Sequence, residues 1–185
     1  MTILWGALAG GSVAWVWGAI SWMALPWHHA TFRSFTDEAD IERTLLACCP
    51  SSGVYGLPAP PKSTPGMDKA ARDAADRAAQ ARMVKGPIVT AIVQREGFGS
   101  VPLAMLRAFA IYAAASAVMT FVASRTSGTY WDRVIVVTAI GLAAGLICRM
   151  SDWNWHGYSS AYTAVNVVDH AVGACIVGLA VAALV

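Results

Sequence analysis

The run from Ser160 to Val185 is long and apolar enough to cross a bilayer, yet it holds Asp169 and His170 side by side in its interior. A hydrocarbon core is crossed by roughly 20 mainly apolar residues of helix, and a charge inside such a run needs a partner, water or a role. Any fold of this chain must therefore accommodate Asp169. Composition agrees with a bilayer setting. Of the 185 residues, 57% are hydrophobic and 13% charged, and mean hydropathy is +0.53, whereas an ordinary soluble domain carries roughly 25% charged residues. The net charge is +2, and charges of both signs concentrate between Arg33 and Glu96. No basic tail is left to recognise nucleic acid, which is not expected as a partner.

Three further apolar runs precede the last one. The first, Thr2 to Leu25, contains no charge and stops before Pro26. It lacks a basic start and has a bulky Trp22-Met23 near its end, so it reads as a retained span and not as a cleaved signal. Gly6, Gly10, Ala14 and Gly18 recur along it every four residues, a face of small side chains that another helix can approach closely. Pro102 opens the second run, which reaches Ala123 and holds Arg107. The third, about Val134 to Cys148, carries Gly141 and Gly145 at close-packing spacing and is closed by Arg149. Met150 to Ser159 is rich in Trp and Tyr and reads as an interfacial loop.

Between the first two runs the composition becomes that of a small soluble domain. Thr36 is placed to cap a helix over Asp37 to Cys48, with Asp37 and Glu38 in its first turn. Gly53 to Leu57 reads as a short strand, and Pro58, Pro60, Pro61 and Pro65 as a loop. Asp68 to Arg82 forms a second helix with Asp68/Arg72, Lys69/Asp73, Arg72/Asp76 and Asp73/Arg77 spaced to pair, and an alanine-rich opposite face. Pro87 to Val93 is a β-branched run expected to be a buried strand, and Thr31 to Phe35 is a further strand candidate. The expected fold is a membrane all-α bundle of four transmembrane helices, over residues 1–26, 101–124, 130–149 and 160–185. A small α+β soluble domain over 27–100 is inserted between helices 1 and 2, and an aromatic loop over 150–159 joins helices 3 and 4.

Four spans put both termini on one side, and the domain and the Trp153 to Tyr158 loop on the other. Arg125 and Arg133 flank the short loop between the second and third spans and favour it as cytoplasmic. A segment longer than about 60 residues largely escapes that rule. The domain is therefore expected outside a bacterial inner membrane, in the periplasm, with the termini cytoplasmic.

Depth along the helices nominates a polar pair. At 1.5 Å per residue Arg107 lies about 9 Å from the domain side and Asp169 about 14 Å, a difference that an arginine side chain spans. An Arg107–Asp169 ion pair inside the bundle is expected, with His170 or Asn166 beside it as a hydrogen-bond partner. It would serve either to hold the helices or as a proton or ion relay. His28, His29, Asp152 and His156 all reach the domain-side surface and form the one set of residue types suited to a transition metal. No other cofactor is expected. The four cysteines, Cys48, Cys49, Cys148 and Cys175, have no metal or thiol-exchange spacing. There is no nucleophile elbow, Walker sequence, zinc-protease or dinucleotide motif.

Three readings follow. The first is a non-enzymatic accessory or scaffold subunit of a larger membrane complex, docking other membrane subunits or its own copies through the small-residue faces. The second is a small oligomeric transporter or channel using Asp169 and Arg107. The third is a membrane metal or redox protein built on His28, His29 and His156.

Overall fold

A computed structural model describes residues 1–59 and 67–185, so the loop expected at Pro60, Pro61 and Pro65 lies outside the described residues. The chain forms two compact units, Met1–Arg33 with Ser100–Val185, and Ser34–Gly99.

The first unit is helical. Helix α1, Thr2–Ala19, ends in a π-helical turn, Ile20–Ala24, and Pro26 stops it. A short 3-10 turn, His29–Thr31, follows and belongs to this unit. Thr31 to Phe35 is thus not a strand: Ala30 N–H bonds to Pro26 O and Thr31 N–H to His28 O, closing turns instead of extending the chain. Helix α4, Val101–Arg125, starts at Ser100, whose side chain accepts from Leu103 N–H. Thr129 and Asp132 make a reciprocal capping box, which starts α5, Tyr130–Gly145, a turn earlier than hydropathy alone indicates.

Met150 to Ser159 is not the expected loop. Helix α5 runs through a π-helical turn, Leu146–Met150, into α6, Ser151–His156, and only Gly157, at φ 72°, ends the helical stretch. No proline or glycine interrupts Leu146 to His156, so nothing local stops the helix. Helix α7 is Ser160–Ala182. Four helical stretches, Thr2–Ala24, Val101–Arg125, Tyr130–His156 and Ser160–Ala182, are long and apolar enough to cross a membrane.

Small residues position these helices. A Cβ on Gly6 would stand 2.2 Å from Thr120 Oγ1, and one on Gly11 would stand 2.7 Å from Ala113 Cα, both on α4. On Gly141 it would meet Ala174 Cβ at 2.1 Å and His170 O at 2.8 Å, and on Gly145 the His170 Cβ at 3.1 Å. The close pairs are therefore α1 with α4 and α5 with α7, and the row from Gly6 to Gly10 and the pair Gly141/Gly145 are filled by the chain's own helices. Ala123, Val137, Val177 and Val181 form the buried apolar cluster.

The second unit holds α2, Glu38–Cys48, α3, Lys69–Lys85, and a two-stranded antiparallel sheet of β1, Gly53–Leu57, and β2, Val89–Val93, with Tyr55 opposite Ala91. The cap of α2 is Asp37, not Thr36: its carboxylate accepts from Asp40 N–H at 2.8 Å. β2 is exposed along most of its length, and Cys49 is the one buried residue among those described in this unit. The expected buried strand thus becomes half of a solvated hairpin. Polar contacts do the tying instead. Arg95 donates from one guanidinium nitrogen to Leu46 O at 2.5 Å and Cys49 O at 2.7 Å, placing positive charge on the open carbonyls at the end of α2. None of the four pairs expected on α3 forms an ion pair among the described residues; Asp68 caps the helix through Ala71 N–H, and Arg72 donates to Met67 O. Exposed pairs at that spacing gain too little to hold long side chains in place.

Candidate functional site: a carboxylate cluster beside a cavity

Ser21 and Trp22 lie in the π-helical turn that ends α1, and Arg149 lies in the one that extends α5. Each such turn inserts an extra residue into the helix, which re-aims the side chains that follow. Trp17, in α1 before this turn, and Ser21, four residues on, both reach α7. The Asp169 Oδ1 accepts from Trp17 Nε1–H at 2.8 Å and from Ser21 Oγ–H at 2.7 Å. His28 Nε2 stands 3.4 Å from Oδ2 and 3.1 Å from Ser21 Oγ.

His28 arrives here because the chain folds back after Pro26. It is fully buried, stacked on Trp22 with ring centroids 3.8 Å apart and met edge-on by Trp27 at 5.5 Å. Trp27 Nε1–H donates to Ser21 O at 3.0 Å and to Ser21 Oγ at 3.1 Å. A hydroxyl has one hydrogen and two lone pairs. Ser21 gives that hydrogen to Asp169 and accepts from Trp27, so His28 is the donor to it, through Nε2–H. That assignment leaves His28 Nδ1 buried with no hydrogen-bond partner among the described residues.

Beside this cluster is a cavity of about 400 Å³, lined from all four long helices. Trp17, Trp22, Tyr112, Arg149, Asn166, Asp169 and His170 contribute its polar and aromatic wall; Ala14 and Gly18 open it on the α1 side. The upper part of the small-residue row thus makes room, where the lower part makes contact. Gly18 faces the Tyr112 hydroxyl, not a helix backbone.

The expected Arg107–Asp169 ion pair does not form. Arg107 is on the exposed surface of α4, and the Asp169 carboxylate is met by Trp17, Ser21 and His28. The arginine that lines the cavity is Arg149, which read from the sequence as the end of a span. It lies seven residues before the helix end at His156, about 10 Å along the axis. Its Nε is buried with no partner among the described residues, and its Nη1 makes an ion pair with Asp152 at 3.6 Å, longer than a hydrogen bond.

His170 and Asn166 line the same cavity but do not bond to Asp169. Asn166 Nδ2 donates to Tyr162 O at 2.8 Å, and His170 Nδ1 donates to Asn166 O at 2.7 Å, both within α7. The metal set is not assembled either: His28 is in the Asp169 cluster, His29 Nε2 pairs with Trp22 O at 3.0 Å, and Asp152 faces Arg149. Among the described residues no three His, Cys, Asp or Glu side chains are grouped to hold a metal ion.

Trp17, Ser21, Tyr112 and Arg149 escaped the sequence reading. For Arg149 a signal existed, namely the uninterrupted helix-compatible stretch to His156. Ser21 offered a fainter one, as a polar residue one turn after Trp17 in an uncharged run. No family model, no curated protein and no solved structure matches the chain.

Proposed function

We propose that this chain is a small multi-pass carrier of a bacterial cytoplasmic membrane, with its termini on the cytoplasmic side. The cavity takes a small solute, and Asp169 is the proton-responsive group. The observation that carries this reading is a carboxylate that both lines a cavity bounded by four bilayer-length helices and holds α1 to α7. Ionised, Asp169 accepts from Trp17 and Ser21, with His28 3.4 Å away; neutralised, it loses the charge that strengthens those two bonds. Protonation therefore loosens the contact between two helices that wall the cavity, which is the coupling a proton-linked carrier needs.

The accessory-subunit reading draws its support from small-residue faces open to partner helices. Gly6, Gly10, Gly141 and Gly145 instead meet the chain's own helices, so that support passes to internal packing. Self-association remains part of the carrier reading, since four spans rarely enclose a pathway alone.

The test is uptake into proteoliposomes loaded with a pH-sensitive dye and exposed to a panel of amino acids, organic acids, amines and sugars. The expected result is solute-dependent proton entry that Asp169→Asn abolishes. Absence of proton movement with every solute, or movement unchanged in Asp169→Asn, overturns the reading.

A further inference from the structure

The charges on the cavity wall define what fits inside. Asp169 and Arg149 supply one formal charge of each sign, and the other lining side chains carry none apart from His170, whose Nδ1–H is held by Asn166 O. Arg149 also has Asp152 as an ion-pair partner at 3.6 Å, outside the lining, so a ligand carboxylate would share the guanidinium with it, and a ligand with net charge would still face one wall group of like sign. A ligand carrying both signs answers each.

Both wall groups have capacity left. The Arg149 guanidinium makes a 3.6 Å ion pair with Asp152 through Nη1, too long for a hydrogen bond, and its buried Nε has no partner among the described residues. A planar fork of N–H donors in that state suits a carboxylate bound through two oxygens. Asp169 Oδ1 already takes two donors, whereas Oδ2 has only the 3.4 Å approach of His28. Trp17, Trp22 and Tyr112 add aromatic side chains to the wall beside Asp169, a residue type that suits an ammonium group. Apart from Ser116, Asn166 and His170 the rest of the wall is apolar, including Met119, Ala144 and Val177. From this we infer that the cavity binds a zwitterionic amino acid with an apolar side chain, its carboxylate on Arg149 and its ammonium on Asp169.

The inference rests on the carrier reading for its biological sense but is tested by binding alone. Full-length protein in detergent micelles is titrated calorimetrically with L-leucine, with isocaproate, which lacks the ammonium, and with isoamylamine, which lacks the carboxylate. Leucine is expected to bind at least about tenfold more tightly than either analogue. Arg149→Gln is expected to weaken leucine by at least about tenfold while leaving isoamylamine unchanged, and Arg107→Gln to change neither. No leucine binding by the wild-type protein, or equal binding of an analogue, overturns the assignment even if Asp169 folds poorly when replaced. Phosphatidylethanolamine carries a similar charge pair on its headgroup. Leucine binding that persists in micelles doped with that lipid supports the free amino acid, and its loss there overturns it. Leucine binding without proton uptake would sink the carrier reading alone; proton uptake driven by another solute, with no leucine binding, would sink this inference alone.

Discussion

Ser21 Oγ donates to Asp169 Oδ1 at 2.7 Å, joining the π-helical end of α1 to the middle of α7 across 148 residues of chain. Because Trp17 donates to the same oxygen and Trp27 and His28 both turn on Ser21, the bond is one member of a network. Networks of this kind hold or fail together.

Replacing Ser21 by Ala or Asp169 by Asn is therefore expected to destabilise the protein by about 1–3 kcal/mol each, since the first leaves His28 Nε2–H short of an acceptor and the second removes the charge that strengthens the Trp17 and Ser21 bonds and turns a donor toward His28. The double replacement should cost less than the sum by about 1 kcal/mol. Thermal denaturation of the four proteins in one detergent measures the cycle, and strict additivity would count against the network.

Helix contact at Gly141 is set by backbone and by Ala174, neither of which can move aside. Gly141→Ala should cost about 1–3 kcal/mol through overpacking. Gly18→Ala should cost clearly less, because the atom it meets is the hydroxyl end of Tyr112 at 3.0 Å. Midpoints of chemical denaturation decide the order, and equal losses would contradict the packing described.

Arg107→Gln should leave stability within about 0.5 kcal/mol of the wild type and tryptophan emission unaltered, since Arg107 is exposed and apart from the Asp169 cluster. The long stem of an arginine near a helix end lets its charge reach the lipid headgroups. A large shift in emission would restore Arg107 to the Asp169 cluster.

In the second unit, the Ser52 hydroxyl donates to Glu96 Oε2 and holds that carboxyl below its ordinary 4.5, with a backbone hydrogen bond at Glu96 and the Arg95 charge also lowering it. A lowered value in the folded state means stability fully present above 4.5 and lost as pH falls through the folded value. Carbon-detected NMR titration should find the Glu96 midpoint below 4.5, and Ser52→Ala should move it upward.

Hydropathy was enough to locate four bilayer-length helices, because twenty or so apolar residues in a row leave a chain little else to do. Period and capping chemistry gave α2 and α3 to within a residue or a few at each end, and β1 and β2 as strands. Asp169 stood out for the same reason, as a charge where water is scarce. Unreadable along the chain was the company Asp169 keeps. Counting residues gives depth along a helix, and depth made Arg107 a plausible partner. Two π-helical turns then shift the phase of the residues that follow α1 and α5, a fold-back after Pro26 buries His28, and α6 continues where an aromatic loop was expected. Which side chains converge depends on helix phase and on which helices are neighbours. Both follow from how small residues such as Gly11 and Gly141 let particular helices close on one another, a choice made among surfaces distant in sequence and not within any one of them.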